Sequence, residues 1–304
     1  MKLNRLSTVI TALTVATVFD LLSVAKPAAA VGLISLTNDN TLVGFDSNSP
    51  SAINTVQVTG LNGTLVGIDF RPANSLLYGI TDTNDLYTIN PGTGAATFTS
   101  TLSVPFTGGI RSGVDFNPAA DRLRIVGSND QNLRINVDTG ATIVDGPLAY
   151  APGDPNFGVN PNLTAAAYTN SFPGPGGGGR TTQLFDIDSN LDTLVLQNPP
   201  NAGTLNTIGS LGIDFSPTGG FDIFTDANGV NNAFAASDSI LYTINLSTGA
   251  ATSVGTIGGS RSFVGLTATN AVPEPGSVTG FLASISLAGV VLVGRCRRRA
   301  KLRI

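Results

Sequence analysis

The chain reads as an all-β protein, a five-bladed β-propeller closed by its own N- and C-terminal strands. Three observations carry that reading. Short segments of alternating apolar and polar residues, divided by Gly, Pro, Asn and Asp turns, fill residues 31–270, and helical periodicity is absent there. The segment Gly67-Ile68-Asp69-Phe70-Arg71-Pro72 returns as Gly113-Val114-Asp115-Phe116-Asn117-Pro118 and as Gly212-Ile213-Asp214-Phe215-Ser216-Pro217, with degenerate copies at Ala165-Ala166-Ala167-Tyr168 and Gly265-Leu266-Thr267-Ala268. These copies recur at intervals of about fifty residues, a length that suits one propeller blade.

Four antiparallel strands are expected in each repeat. In the first they are Val66–Phe70, Leu76–Thr81, Leu86–Asn90 and Ala95–Thr99, divided by the turns Pro72-Ala73-Asn74, Asp82-Thr83-Asn84 and Pro91-Gly92-Thr93-Gly94. The third strand is expected again at Leu133–Asn136, Leu184–Asp188 and Leu241–Asn245. A Thr-Gly-Ala turn follows at Thr93, Thr139 and Thr248. The repeats are out of phase with the chain ends. Leu33–Thr37, Thr41–Asp46 and Ile53–Thr59 lack a preceding inner strand, and Ser262–Ala268 is an inner strand with nothing after it. Together they complete a composite blade and leave no open sheet edge. A six-bladed ring would require splitting one of the longer repeats.

The Gly-x-Asp-Phe-x-Pro, Leu-Tyr-x-Ile-Asn and Thr-Gly-Ala-Ala-Thr segments look like the family called domain of unknown function 4394, over roughly residues 33–270. That resemblance implies a secreted bacterial domain with no established activity.

The two ends read as processing signals. Lys2 and Arg5 precede the apolar run Leu6–Phe19, and Ala28-Ala29-Ala30 supplies an A-x-A cleavage pattern, so residues 1–30 are expected to be a signal peptide. Asp20 and Lys26 interrupt the region and leave the exact cut open. Residues 271–304 have three parts: Val272-Pro273-Glu274-Pro275, the uncharged stretch 276–294, and a basic tail 295–304 with Arg295, Arg297, Arg298 and Arg299. At a rise of 1.5 Å per residue the stretch would reach about 28 Å as a helix, close to a hydrocarbon core. The basic cluster would stay cytoplasmic. This order resembles the PEP-CTERM sorting signal of Gram-negative bacteria, including cyanobacteria. The resemblance implies cleavage near the Pro-Glu-Pro motif by an exosortase-type enzyme, after export by the secretion machinery and signal peptidase. An inner-membrane-anchored precursor would then reach the cell surface or extracellular matrix, with extracellular polysaccharide as an expected partner.

Composition between the ends narrows the chemistry. Residues 31–272 hold seven arginines, no lysine, 18 aspartates and no glutamate, a formal charge of −11. Such a surface favours solubility and disfavours nucleic acid and anionic lipid. The body has no His, Cys or Trp. Disulfides, cysteine nucleophiles, His-containing zinc sites and Ser-His-Asp triads are therefore excluded. Glycosidases do occur on five-bladed propellers, and such chemistry needs a carboxylic acid of raised pKa beside a second carboxylate. Asp would have to fill both roles.

Two sets of aspartates stand out. Asp69, Asp115 and Asp214 repeat at one level of the blades. One reading is a carboxylate ring around the channel that could hold a cation; the other is that each accepts turn hydrogen bonds and locks its blade. Asp186, Asp188, Asn190 and Asp192 have the alternating oxygen spacing of a calcium loop, which makes Ca2+ the candidate ion. Leu191 stands where such a loop needs Gly, and Gln197 where it needs Glu. The clusters Asp82, Asn84, Asp85 and Asp222, Asp226, Asn228 are explained by Asx turns. The Gly-rich segment Phe172–Arg180 lacks Gly-Lys-Ser/Thr and is read as a connection that could overhang one face of the ring. The expected function is an exported, non-catalytic structural or binding module. The alternative is an Asp- or calcium-dependent hydrolase acting on polysaccharide.

Overall fold

A computed structural model describes residues 30–177, 179–259 and 261–269. Residues 1–29 of the expected signal peptide, the Val272–Pro275 motif, the 276–294 span and the basic tail lie outside the described residues. Among the described residues no helix is long and apolar enough to cross a membrane.

Five sheets form five blades. Blade 1 is composite: β1 (Gly32–Thr37), β2 (Thr41–Asp46) and β3 (Ser49–Gln57) run outward from an inner strand supplied by β21 (Phe263–Ala268). Blade 2 comprises β4 (Leu65–Arg71), β5 (Leu76–Thr81), β6 (Asp85–Ile89) and β7 (Ala96–Thr101). Blade 3 comprises β8 (Ser112–Asn117), β9 (Arg122–Gly127), β10 (Asn132–Ile135) and β11 (Thr142–Val144). Blade 4 has β13 (Leu163–Tyr168), β14 (Leu184–Asp188), β15 (Thr193–Gln197) and β16 (Thr204–Ser210), to which β12 (Ala149–Tyr150) adds in parallel. Blade 5 comprises β17 (Gly219–Thr225), β18 (Asn231–Ser237), β19 (Ile240–Ile244) and β20 (Ala251–Thr256). The five blades and their closure by strands from both ends agree with the repeat pattern.

The core lies between blades. Each of the five hydrophobic clusters bridges one junction. Blade 2, for example, sends Tyr78 and Ile80 against Phe116 and Leu123 of blade 3. Side chains alternate across each strand, so both faces of a blade meet a neighbour and read as buried. A salt bridge adds to one junction: Arg71 of β4 reaches Asp121 at 2.6 Å and Asp138 at 2.7 Å, both on turns of blade 3.

Near the axis the inner strands almost touch. A Cβ on Gly113 would lie 2.4 Å from the Ala166 nitrogen, and one on Gly220 2.2 Å from the Leu266 nitrogen. These positions need glycine because backbone occupies the space a side chain would take. The cavity left among Gly67, Gly113, Ala166, Gly220 and Gly265 is about 10 Å³, room for one water.

Two strand assignments differ from the repeat reading. Gly212–Pro217 forms no strand. Gly212 adopts φ 72°, turning the chain, and Phe215 inserts into the cluster between blades 4 and 5 with 1% exposure. The inner strand begins after Pro217, where Gly220-Phe221-Asp222-Ile223 repeats the Gly-x-Asp pattern with Ile in place of Phe. Leu184–Asp188 is the second strand of blade 4, not the third. The long connection from Thr169 to Gln183 replaces the tight turn that follows the inner strand elsewhere, which displaces the count by one.

Candidate functional site

Asp69, Asp115 and Asp222 occupy one level of β4, β8 and β17, with Ala167 of β13 and Thr267 of β21 completing the level. Asp222 thus takes the place expected of Asp214, which is exposed in the loop before β17. The three carboxyls are 5%, 1% and 6% exposed. Each reaches forward into the next blade. Phe116 N–H donates to Asp69 Oδ2 at 2.8 Å, Tyr168 N–H to Asp115 Oδ2 at 3.0 Å, and Ala268 N–H to Asp222 Oδ2 at 2.5 Å. The Thr267 hydroxyl donates to Asp69 Oδ1 at 2.8 Å. Side chains at this level therefore tie four of the five junctions. Ala167 offers no such link between blades 4 and 5, where Phe215 fills the seam instead.

Burial raises all three acids, and their mutual repulsion adds to it for two of them. Asp69 is pushed up to about 8 by desolvation and then by the Asp222 charge. Desolvation, then the charges of Asp69 and Asp222, hold Asp115 well above the carboxylate range. Asp222 rises less, to about 6, because Ala268 and Ile223 N–H groups stabilise its anion against desolvation. Asp115 Oδ1 has no conventional donor, and the Asp115 side chain interacts with the Asp69 carboxyl. The donors are backbone N–H groups of the next blade rather than of the adjoining turn, so these carboxyls link one blade to the next.

The ring is enclosed. A cavity of about 10 Å³ lies beside it, bounded by Asp69, Asp222, Ala268 and Ser171. Ser171 immediately precedes the Gly-rich segment, which does overhang one face. Gly174 N–H donates to Pro72 O at 2.9 Å and Gly177 N–H to Ala119 O at 2.7 Å, so the segment rests on the first turns of blades 2 and 3. Arg180 stacks over Phe172, 4.0 Å from the ring centre.

Asp186, Asp188, Asn190 and Asp192 do not come together around one point. Asp188 Oδ1 accepts the Asn190 and Leu191 N–H groups at 3.0 and 3.2 Å, an Asx turn, and Oδ2 accepts the Tyr150 hydroxyl at 2.7 Å. Asp192 Oδ1 accepts Phe215 N–H at 2.8 Å. Asn190 is exposed. Among the described residues no three His, Cys, Asp or Glu side chains are placed to hold a metal ion.

Asp186 is different. It is fully buried and neither carboxylate oxygen has a hydrogen-bond partner. Desolvation holds its acid well above the usual range, with Arg124 pulling it back. Ladder register places Gly79, Ile125, Ala235 and Ser35 at the matching point of the other blades. An acid here is peculiar to blade 4. On the same junction Arg124, 1% exposed, binds Asp145 and Asn132 at 2.6 Å, Asn201 at 2.8 Å and the Tyr168 hydroxyl at 3.2 Å. Neither Asp186 nor Arg124 follows from the repeat pattern, since each departs from its own repeat.

An open cavity of about 360 Å³ lies at the seam of blades 5 and 1. Phe224, Phe234, Ile244 and Val254 give it apolar walls, and Asn48, Asn231, Asn232 and Thr243 give it polar ones. Asp226 is its one charged lining residue; Val230 and Asn228 N–H groups bond its Oδ1 and keep its carboxyl below the usual value, hence ionised. This volume suits a small ligand. Sequence reading explained Asp222, Asp226 and Asn228 by Asx turns; Asp226 and Asn228 do share a turn, whereas Asp222 lies within strand β17, and nothing in the sequence signalled that the turn borders a cavity.

A family profile described as Domain of unknown function (DUF4394) matches residues 41–267. No curated protein matches the chain. One similar solved structure is a structural-genomics protein of unknown function from Bacteroides thetaiotaomicron VPI-5482, 18% identical, with a TM-score of 0.46. The match covers 77% of this chain and 61% of that one, so the chain spans about three fifths of that protein's length.

Proposed function

The chain belongs to the DUF4394 family, and on that footing we propose that it is an exported, surface-sorted bacterial protein whose propeller is a non-catalytic binding module. The ends support the sorting half of this reading: an A-x-A leader, the Val272–Pro275 motif, an uncharged span and an arginine tail stand in the order of an exosortase substrate. The precursor would be held in the inner membrane and the processed protein delivered to the cell surface or matrix.

The observation that carries the binding half is the contrast between two places. The most strongly raised acids, Asp69, Asp115 and Asp186, are enclosed among packed strands, whereas the open 360 Å³ cavity presents phenylalanines, amides and one ionised carboxylate. Phenyl walls and amide edges suit a small polyhydroxylated ligand such as a sugar unit of extracellular polysaccharide. A hydrolase of the glycosidase type needs a proton-donating acid within reach of substrate. Asp226, ionised and alone, does not supply it.

A panel of polysaccharides tested for retention on the purified protein and for release of reducing ends separates the two activities. Retention without release, weakened by Phe224→Ala and Asn232→Ala, is the expected result. Reducing-end release that survives in those variants overturns the reading.

A further inference from the structure

The three axial carboxyls are the most unusual chemical grouping in the molecule, and binding at the seam leaves them unused. Like charges this close, shielded from water, cannot all ionise without mutual cost. The arginines beside them are engaged elsewhere: Arg124, the ladder partner of Asp115, binds Asp145, Asn132 and Asn201, and Arg71, two residues beyond Asp69 on β4, binds Asp121 and Asp138. The inner strands packed around them bring Ala167 and Thr267 to the same level, and the segment above brings Ser171, none of them basic. Desolvation, other carboxyls, N–H groups and the Thr267 hydroxyl are the principal influences on the ring; no arginine is among them.

We propose that the ring is a protonation lock: Asp69, Asp115 and Asp222 close the channel while they share protons, and ionising all three loosens the blade junctions they span. The Phe116, Tyr168 and Ala268 N–H groups and the Thr267 hydroxyl hold the anions as well as the acids, so the strain of full ionisation is the mutual repulsion of the enclosed carboxylates, and it falls on the junctions that these donors span. All five blades take part, blade 4 through Tyr168, so the response belongs to ring closure as a whole.

The sign follows from linkage. Acids whose folded pKa exceeds the unfolded one bind more protons in the native state, so stability falls as pH rises. The stabilisation is complete below the ordinary carboxylate value and is lost on passing about 6 for Asp222 and about 8 for Asp69. The chain has no histidine and its single cysteine is Cys296; besides the ring and Asp186, burial also raises Asp130. Surface carboxylates such as Asp39, Asp85 and Asp154, held low by hydrogen bonds, act only below this window.

The test is the denaturant midpoint of the purified protein from pH 5 to pH 9, with Asp186→Asn as background to silence the other fully buried acid that desolvation holds high. Each extra proton held by the native state changes the unfolding equilibrium about tenfold per pH unit. The expected midpoint falls across the range, and Asp69→Asn flattens the fall. Where Asp69→Asn does not fold, infrared spectroscopy of the folded Asp186→Asn protein reads the carboxyls directly. A protonated C=O band present at pH 7 and lost by pH 9 supports the lock. A midpoint that is flat or rises with pH, or a spectrum without protonated carboxyl at pH 7, overturns it.

Discussion

A buried carboxyl that accepts no hydrogen bond forfeits its hydration without recompense, which costs roughly 1–3 kcal/mol even in the neutral form. Asp186 is such a residue. Arg124 does not repay it, because that guanidinium already binds Asp145, Asn132 and Asn201. The matching points Gly79, Ile125, Ala235 and Ser35 show that the fold accepts small or apolar groups at this place. Asp186→Ala is therefore expected to stabilise the protein by about 1 kcal/mol, the lost desolvation penalty outweighing the small cavity. The gain should grow as pH rises past the ordinary carboxylate value, because the unfolded chain ionises there while the native acid keeps its proton. Urea denaturation at pH 6 and pH 8 measures it; a loss at both values would mean that Asp186 has a native partner on which blade 4 depends.

At the scale of the strand, close approach at the axis decides what each inner strand can carry. Gly220→Ala would put a methyl 2.2 Å from the Leu266 nitrogen and 2.4 Å from the Gly265 carbonyl carbon, both backbone that must shift with its whole blade. The expected loss is about 2–3 kcal/mol, at the upper end of the usual overpacking range. It would lower Tm by about 4–12 °C in a domain of this size. An unchanged Tm in calorimetry would mean that the inner strands can separate. The same crowding explains what could be read from the sequence. Gly67-Ile68-Asp69 and Gly113-Val114-Asp115 announce inner strands because the glycine is needed for the approach and the aspartate for the next blade. Gly212-Ile213-Asp214-Phe215 has the same letters and none of those duties: its phenylalanine plugs the blade 4–5 seam that Ala167 leaves untied. Pattern alone could not separate it from Gly220-Phe221-Asp222, eight residues on. Asp222 was legible only as a turn residue, and the seam cavity, assembled from blades 5 and 1, had no contiguous signature.

The whole molecule is a ring closed by one strand. β21 pairs with β1 over Leu33–Ala268 to Thr37–Phe263, so both termini of the propeller meet in blade 1. It also carries Thr267 to Asp69 and offers Ala268 N–H to Asp222, two of the four ties at the axial level. Its Phe263, Val264 and Leu266 enter the cores on both sides, against blade 5 and against blade 2. A chain ended before Phe263 would lose pairing, axial ties and packing at once, and would expose β1 as an unprotected edge beside buried apolar surface. Blades 2 to 5 keep their own sheets, so the expected product is a partly ordered, self-associating species rather than a random coil. Its β-sheet circular dichroism should persist while the single cooperative denaturation transition broadens and elution shifts to larger size. A synthetic peptide of residues 263–269 supplied in excess should restore a sharp transition, because the missing contacts are made by that strand alone. A truncated chain that stays monomeric and melts cooperatively without the peptide would show that the ring holds without its closing strand.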